Sequence, residues 1–256
     1  MSKESAKSVN QITEGVIWKQ LLLFFFPIML GTFFQQLYNT IDTVIVGRFV
    51  GTEALASVGG SSAQIINLVV GFFTGLSSGA SVIIAQYYGA KDEDFVKKGL
   101  HNAYAVSVAG GILLSVVGVV LAPYILQWMN TPSEILQSST VYLRIYFGGI
   151  LFTFVYNMGS SILRATGDSR TPLYYLIICC LLNIVLDLVF VVIFHMGVAG
   201  VGIATMISQA FSACLVTHKL AKTKGILHLS VRKIRFYAEA MEPQIKLGIP
   251  TGIESI

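Results

Sequence analysis

Residues 21–46 read LLLFFFPIMLGTFFQQLYNTIDTVIV, a run with no Lys or Arg and a single acid, Asp42. A helix needs about 20 mainly apolar residues to cross a bilayer, so this run predicts a first spanning helix, beginning near residue 17. Five more apolar runs of sufficient length follow, near 54–86, 100–123, 138–163, 171–194 and 200–220. The breaks between them carry charges and turn residues: Gly47-Arg48, Ala90-Lys91-Asp92-Glu93-Asp94, Asn130-Thr131-Pro132-Ser133, Gly167-Asp168-Ser169-Arg170-Thr171-Pro172 and Met196-Gly197. The period-two alternation of a membrane barrel is absent. The predicted fold is therefore an all-α integral membrane bundle of six spanning helices over residues 17–220.

Composition agrees. Hydrophobic residues make up 54% of the 256, charged residues only 12%, and the mean hydropathy is +0.73; an ordinary soluble domain carries about 25% charged residues. Disordered, collagen-like and disulfide-stapled secreted chains are excluded. Cys179, Cys180 and Cys214 lie inside apolar runs and read as small buried residues. The four histidines (His101, His195, His218, His228) lack ligand spacing, so no metal site is expected. The net charge of +4 does not indicate a nucleic-acid partner, because the cations sit in short breaks without interleaved aromatics.

Those cations are one-sided. Arg48 and Arg144 fall on one face, and the other fifteen of the 17 fall on the opposite one. Cytoplasmic loops hold the excess of Lys and Arg, so the expectation is a multi-pass protein of the cell membrane with residues 1–16 as a cytoplasmic tail. Residues 221–242 form a basic connector with Ile226, Leu229, Ile234, Phe236 and Tyr237 interleaved. It reads either as a solvated linker or as a helix lying on the anionic inner leaflet. From 243 to 256 the chain turns apolar again, and Pro250 repeats the setting of Pro27 at an offset of 223 residues. This is the start of a seventh helix, and it suggests one lobe of a two-lobed protein whose C-terminal lobe is missing here.

Polar side chains at bilayer depth need a reason. Gln35, Tyr38, Asn39 and Asp42 are spaced to share one face of the first span; Asn183 and Asp187 share a face of the fifth; Thr205, Ser208, Gln209 and Ser212 form a stripe on the sixth. Chain direction places Asp42, Asn183, Asp187 and Thr205 at a common level in the outer half of the membrane, where they can line one cavity. The alternative is a dry helix interface in which they satisfy one another. Pro27 removes a backbone hydrogen bond inside the same span as Asp42, and so predicts a bend there. Gln64 and Asn67 on the second span, and Tyr146, Tyr156 and Asn157 on the fourth, either line the cavity or serve packing. Gly71, Gly75 and Gly79, and Gly200 with Ala204, Ser208 and Ser212, are small-residue stripes suited to close helix contact.

Nucleotide loops, hydrolase triads and zinc-protease spacings are absent. Gly197-Val198-Ala199-Gly200-Val201-Gly202 sits in an outer turn without a preceding strand, so it is discounted as a nucleotide site. No enzyme activity and no organic cofactor are expected.

The sequence resembles the multidrug and toxic compound extrusion (MATE) family of cation-coupled efflux transporters. Five stretches carry the resemblance, in order: Leu22 to Gly31, Tyr38 to Gly47, Ala85-Gln86-Tyr87-Tyr88-Gly89-Ala90, Arg164 to Pro172 and Asn183-Ile184-Val185-Leu186-Asp187. It implies one six-helix lobe of a twelve-helix fold, with a cation-binding cavity in the N-terminal lobe. Within that cavity it assigns Asp42, Asn183, Asp187 and Thr205 to the coupling ion, H⁺ or Na⁺, and Pro27 to helix bending. Tyr38 and Asn157 become secondary cavity residues. The implied function is antiport, with cation influx driving export of small organic compounds, often cationic, from within membrane lipid. A lipid-linked oligosaccharide flippase of the same superfamily is an alternative, disfavoured because no Lys or Arg is expected at mid-membrane. A transport-incompetent fragment is another, since half of a rocking pair cannot alternate alone. Glu254 departs from the offset pattern, because Gly31 is its counterpart, and it receives no role.

Overall fold

The computed structural model describes residues 17–223 and 225–256. The expected tail, 1–16, and Lys224 lie outside the described residues. The chain forms long helices: α1 Ile17–Phe49, α2 Thr52–Gly59, α3 Ser61–Gly89, α4 Glu93–Trp128, α5 Ser133–Ala165, α6 Arg170–Asp187, α7 Gly197–Lys222 and α8 Ala238–Glu254. Immediately after α6 comes a π-helical turn, Leu188–Ile193, and a single 3₁₀ turn, Val231–Lys233, interrupts the stretch before α8. The described residues contain no strand.

Helix ends fall where the sequence places its breaks. The Asp92 side chain accepts the Phe95 N–H at 3.1 Å, capping α4, and Glu93 and Asp94 lie in its first turn, where acids complement the helix dipole. Before α6, Gly167 takes φ +96°, a conformation glycine adopts without strain. Asp168 then accepts both the N–H and the hydroxyl of Thr171, at 3.0 and 2.6 Å. The helices run a few residues beyond the apolar runs at most ends, because hydropathy reports the bilayer slab while caps extend into its interface.

Among the described residues, five helical stretches are long and apolar enough to cross a membrane: Thr52–Gly89, Glu93–Trp128, Ser133–Ala165, Arg170–Ile193 and Gly197–Lys222. Six were expected. The first, α1, has 33 residues, about 50 Å at the usual rise, length enough to cross a bilayer. The second expected span is two helices, because the chain breaks at Gly59-Gly60.

The bundle is organised around α5, which packs against α4, α7 and α3. Side chains of Leu126, Leu143, Phe147, Ile150 and Phe154 form one core; Leu100, Tyr104, Met158, Ile162, Val216 and Leu220 form another near the basic end. Apolar residues such as Leu113, Val116, Val120, Leu181 and Val185 point outward, as a lipid-facing surface requires.

The connector is not a surface helix. Its described residues between α7 and α8 are irregular apart from the 3₁₀ turn and are pinned to α4 and α7, and α8 begins at Ala238 rather than at the expected 243. Ser230 N–H donates to His101 Nε2 (3.0 Å), Tyr237 N–H donates to Asn102 Oδ1 (2.9 Å), and Leu229 N–H donates to the Leu220 carbonyl (3.1 Å). The buried Gln244 of α8 completes the clasp, accepting from Asn102 at 2.8 Å and donating to the Gly99 carbonyl at 3.0 Å. Farther along, α8 lies on α3 backbone to backbone. A Cβ built on Gly79 would stand 2.5 Å from the Gly248 Cα, and one on Gly75 would stand 2.6 Å from the Gly252 Cα. Glycine is required at this seam, as its spacing suggested.

That close approach gives a stability test. Gly79→Ala is expected to cost about 1–3 kcal/mol through overpacking, read as a lower unfolding temperature of the detergent-purified protein. Gly148 in mid-α5 has open space where a Cβ would go. There, Gly148→Ala is expected to be neutral or to stabilise by up to about 1 kcal/mol, following helix propensity. Equal losses at both positions would contradict the seam.

Candidate functional site

The polar face of α1 turns toward α6 and α7, and a cavity of about 450 Å³ lies among α1, α3, α5, α6 and α7. Asp42 is half-buried in its wall, whereas Asn183 and Asp187 stand behind the wall with no exposure (0% each). With its amide nitrogen facing the acids, Asn183 donates to Asp42 Oδ1 at 2.9 Å and to Asp187 Oδ2 at 3.2 Å. Both acids thus lie within hydrogen-bond reach of one nitrogen, which holds their carboxyls side by side. Tyr38, one helical turn before Asp42 on α1, donates its hydroxyl to Thr205 Oγ1 at 3.3 Å. One polar knot thus joins α1, α6 and α7, and Asp187 Oδ1 is left without a protein partner among the described residues.

Local backbone form helps place Asp187. It is the last residue of α6, and the chain opens into the π turn directly after it, with Phe194 N–H bonding the Val189 carbonyl five residues back. Single π turns within helices gather at functional sites. The periodicity of the apolar run carries no sign of this extra residue.

The structure brings Asp42, Asn183, Asp187, Thr205 and Tyr38 together. Gln35, Asn39, Asn67 and Asn157 line the cavity, and Asn157 donates to Thr74 Oγ1 at 3.3 Å. Pro27 is buried inside the continuous α1 and also borders the cavity, some four turns from Asp42. Gln64 is exposed and lies outside the wall; the neighbouring position that reaches the cavity is Ala63. Glu254 is exposed at the end of α8, away from the cavity.

Other wall residues were not singled out by sequence. Tyr142, one helical turn before Tyr146, stands near Asp42, and Thr74 and Thr153 add hydroxyls. The i, i+4 relation of Tyr142 to Tyr146 was the available signal. Arg164 also lines the cavity, from the last turn of α5 at its basic end rather than from mid-membrane. Ser208 Oγ and Gln209 Oε1, both on the α7 stripe, have no protein partner, as suits groups beside a polar cavity.

Chemically, the knot is two carboxyls bridged by an amide nitrogen, with the hydroxyls of Tyr38 and Thr205 beside them. Groups of three or more His, Cys, Asp or Glu arranged for a metal ion are absent among the described residues. Oxygen donors of this kind suit a proton or a hard monovalent cation rather than a transition metal.

Comparison with known proteins fits this architecture. The MatE family model matches residues 27–189. The chain is 35% identical over 243 residues to the probable multidrug resistance protein YpnP of Bacillus subtilis, covering 94% of this chain and 54% of that protein. It is 32% identical over 247 residues to the probable multidrug resistance protein YoeA of the same organism, covering 94% and 53%. In fold it matches a solved MOP-superfamily transporter from Pyrococcus furiosus with a TM-score of 0.88 at 24% identity, over 97% of this chain and 55% of that one. The chain spans about half the length of the curated relatives it matches. It belongs to the MATE family, whose members are membrane transporters and not enzymes.

Proposed function

We propose that this chain is the N-terminal lobe of a secondary antiporter that couples inward movement of H⁺ or Na⁺ to export of small organic compounds, often cationic. The observation that carries the reading is the knot of Asp42, Asn183 and Asp187. Two carboxyls joined through one amide, one of them fully buried, make a site that holds a single proton or cation between them; unpaired charges at this depth cost several kcal/mol. Asp42 is the member exposed to the cavity, so it is the point of loading, and Thr205 and Tyr38 supply the neighbouring oxygens.

The cavity is of the size that small organic ligands occupy, roughly 300–1,000 Å³. Tyr142, Tyr146 and Tyr156 offer aromatic faces to a cationic compound. Loading the knot with one cation removes one negative charge and favours one arrangement of α1; the exported compound favours another, as coupling requires. Pro27 is the point at which α1 bends, because it removes a backbone hydrogen bond in the same helix that carries Asp42.

The basic end, with the α3–α4, α5–α6 and α7–α8 connections, is cytoplasmic, in the cell membrane. Residues 17–222 form the lobe, 223–237 a cytoplasmic connector and 238–256 the start of the next helix, in a protein completed by a second lobe.

In everted membrane vesicles from cells making the protein, Asp42→Asn is expected to reduce gradient-driven dye export to the level of vesicles without it, with unchanged protein content. Normal export by that variant would overturn the assignment. Imposing a proton gradient and a sodium gradient separately on the same vesicles identifies the coupling ion. A second test concerns the bend. Pro costs about 3 kcal/mol relative to Ala in a helix interior, so Pro27→Ala is expected to leave stability unchanged or raised while slowing export about tenfold. Export at the original rate would remove Pro27 from the mechanism.

A further inference from the structure

Among the described residues, Asp42 and Arg164 are the only charged side chains in the cavity wall. They stand at opposite ends. Tyr142 packs in one apolar cluster with Ile41, Ile45 and Val46, the neighbours of Asp42 on α1, and α5 runs unbroken from Tyr142 to Arg164. Those 22 residues correspond to about 33 Å of helix axis.

That separation decides between roles. A small organic molecule cannot touch both groups, so the pair does not clasp the two ends of one compound. Nor does Arg164 set the charge of Asp42 from there, since interactions between solvated charges fade over roughly 10 Å. Among the described residues Arg164 has no ion-pair partner; its one side-chain bond is from Nη2 to Ser161 Oγ at 3.4 Å. A guanidinium carries an essentially fixed charge. Here it occupies the last turn of α5, where the helix C-terminus favours a cation.

We infer that Arg164 is an electrostatic barrier, a specificity residue that stops the coupling cation from leaking out of the inner end of the cavity. A fixed positive charge at the end of a polar passage excludes protons and cations, as in other membrane pores. A cation that enters at Asp42 then leaves only when the protein changes conformation, which keeps cation flow tied to export. This role rests on the antiport reading and its cytoplasmic assignment of the α5–α6 end.

The purified protein in liposomes containing a pH-sensitive dye, with no organic compound present, tests it. Under an inward proton or sodium gradient, Arg164→Gln is expected to raise passive cation influx tenfold or more. Arg164→Lys, which keeps the charge, is expected to remain as tight as the parent. In Asp42→Asn/Arg164→Gln the proton leak is expected to fall back, because the path through the cavity has lost its acid. An Arg164→Gln protein as tight as the parent overturns the barrier, including the case in which only its affinity for anionic compounds changes. Equal leaks in the Gln and Lys variants, or a proton leak that survives Asp42→Asn, also overturn it and indicate a packing defect. The antiport reading is judged separately, by driven export in Asp42→Asn alone, so either idea can fail without the other.

Discussion

The Asn183 amide between two carboxyl groups is the contact on which the arrangement depends. Asp187 is fully buried and Asp42 half-buried, in a part of the chain that lipid surrounds. Ionised groups there cost from about 3 kcal/mol upward, so they persist only where donors are aimed at them. Asn183 supplies both of its amide hydrogens, one to each acid. Because the acids belong to α1 and α6, and Tyr38 continues the chain of contacts to Thr205 on α7, satisfying them fixes how three helices meet. The remainder of the lobe positions these three. Helix α5 provides a column on which α3, α4 and α7 are stacked, and the π turn ends α6 with Asp187 at the buried level.

Two kinds of cohesion operate beyond the knot. Apolar interlocking holds α4 and α7 to α5; Gly118, for example, leaves room for the ring of Phe147. The contact of α3 with α8 differs, because glycines face each other and few side chains interlock. Its position is fixed at the basic end by polar groups instead: Asn102 and Gln244 tie α4, the connector and α8 into a buried hydrogen-bond set. Removing one member would strand the others without water, which costs more than a single bond contributes.

The sequence made the helices legible because an apolar run of membrane length has few alternatives, and because i, i+4 spacing puts polar residues on one face wherever the helix sits. Asp42, Asn183, Asp187 and Thr205 emerged from spacing and chain direction alone, and the resemblance selected the same four. What stayed hidden is what periodicity cannot encode. The break at Gly59-Gly60 and the π turn after Asp187 change the helix locally without altering the hydropathy of the run. Asn102 and Gln244 are 142 residues apart, and nothing local marks either as a partner. Gln64 shows the converse: it shares a helix face with the cavity-lining Asn67 and Thr74 and yet stands outside the wall, where Ala63 takes its place.

Where Gln64 points has a consequence of its own. Gln64, Asn67, Thr74 and Ser78 of α3 are all exposed, at spacings that share a face, and Gln35, Gln36, Asn39 and Thr40 of α1 are exposed as well. Hydroxyls such as Thr40 are satisfied by the carbonyl four residues back, at 2.9 Å from Gln36. Carboxamides have no such internal outlet, and hydrocarbon offers them no partner. This face therefore borders water or protein rather than lipid, unlike the outward face of α4 with Leu113, Val116 and Val120. A lobe with one lipid-facing side and one polar side is half of an enclosure, and α8, already docked along α3, lies beside the open edge. The same polarity that makes the lobe incomplete on its own keeps the approach to Asp42 wet.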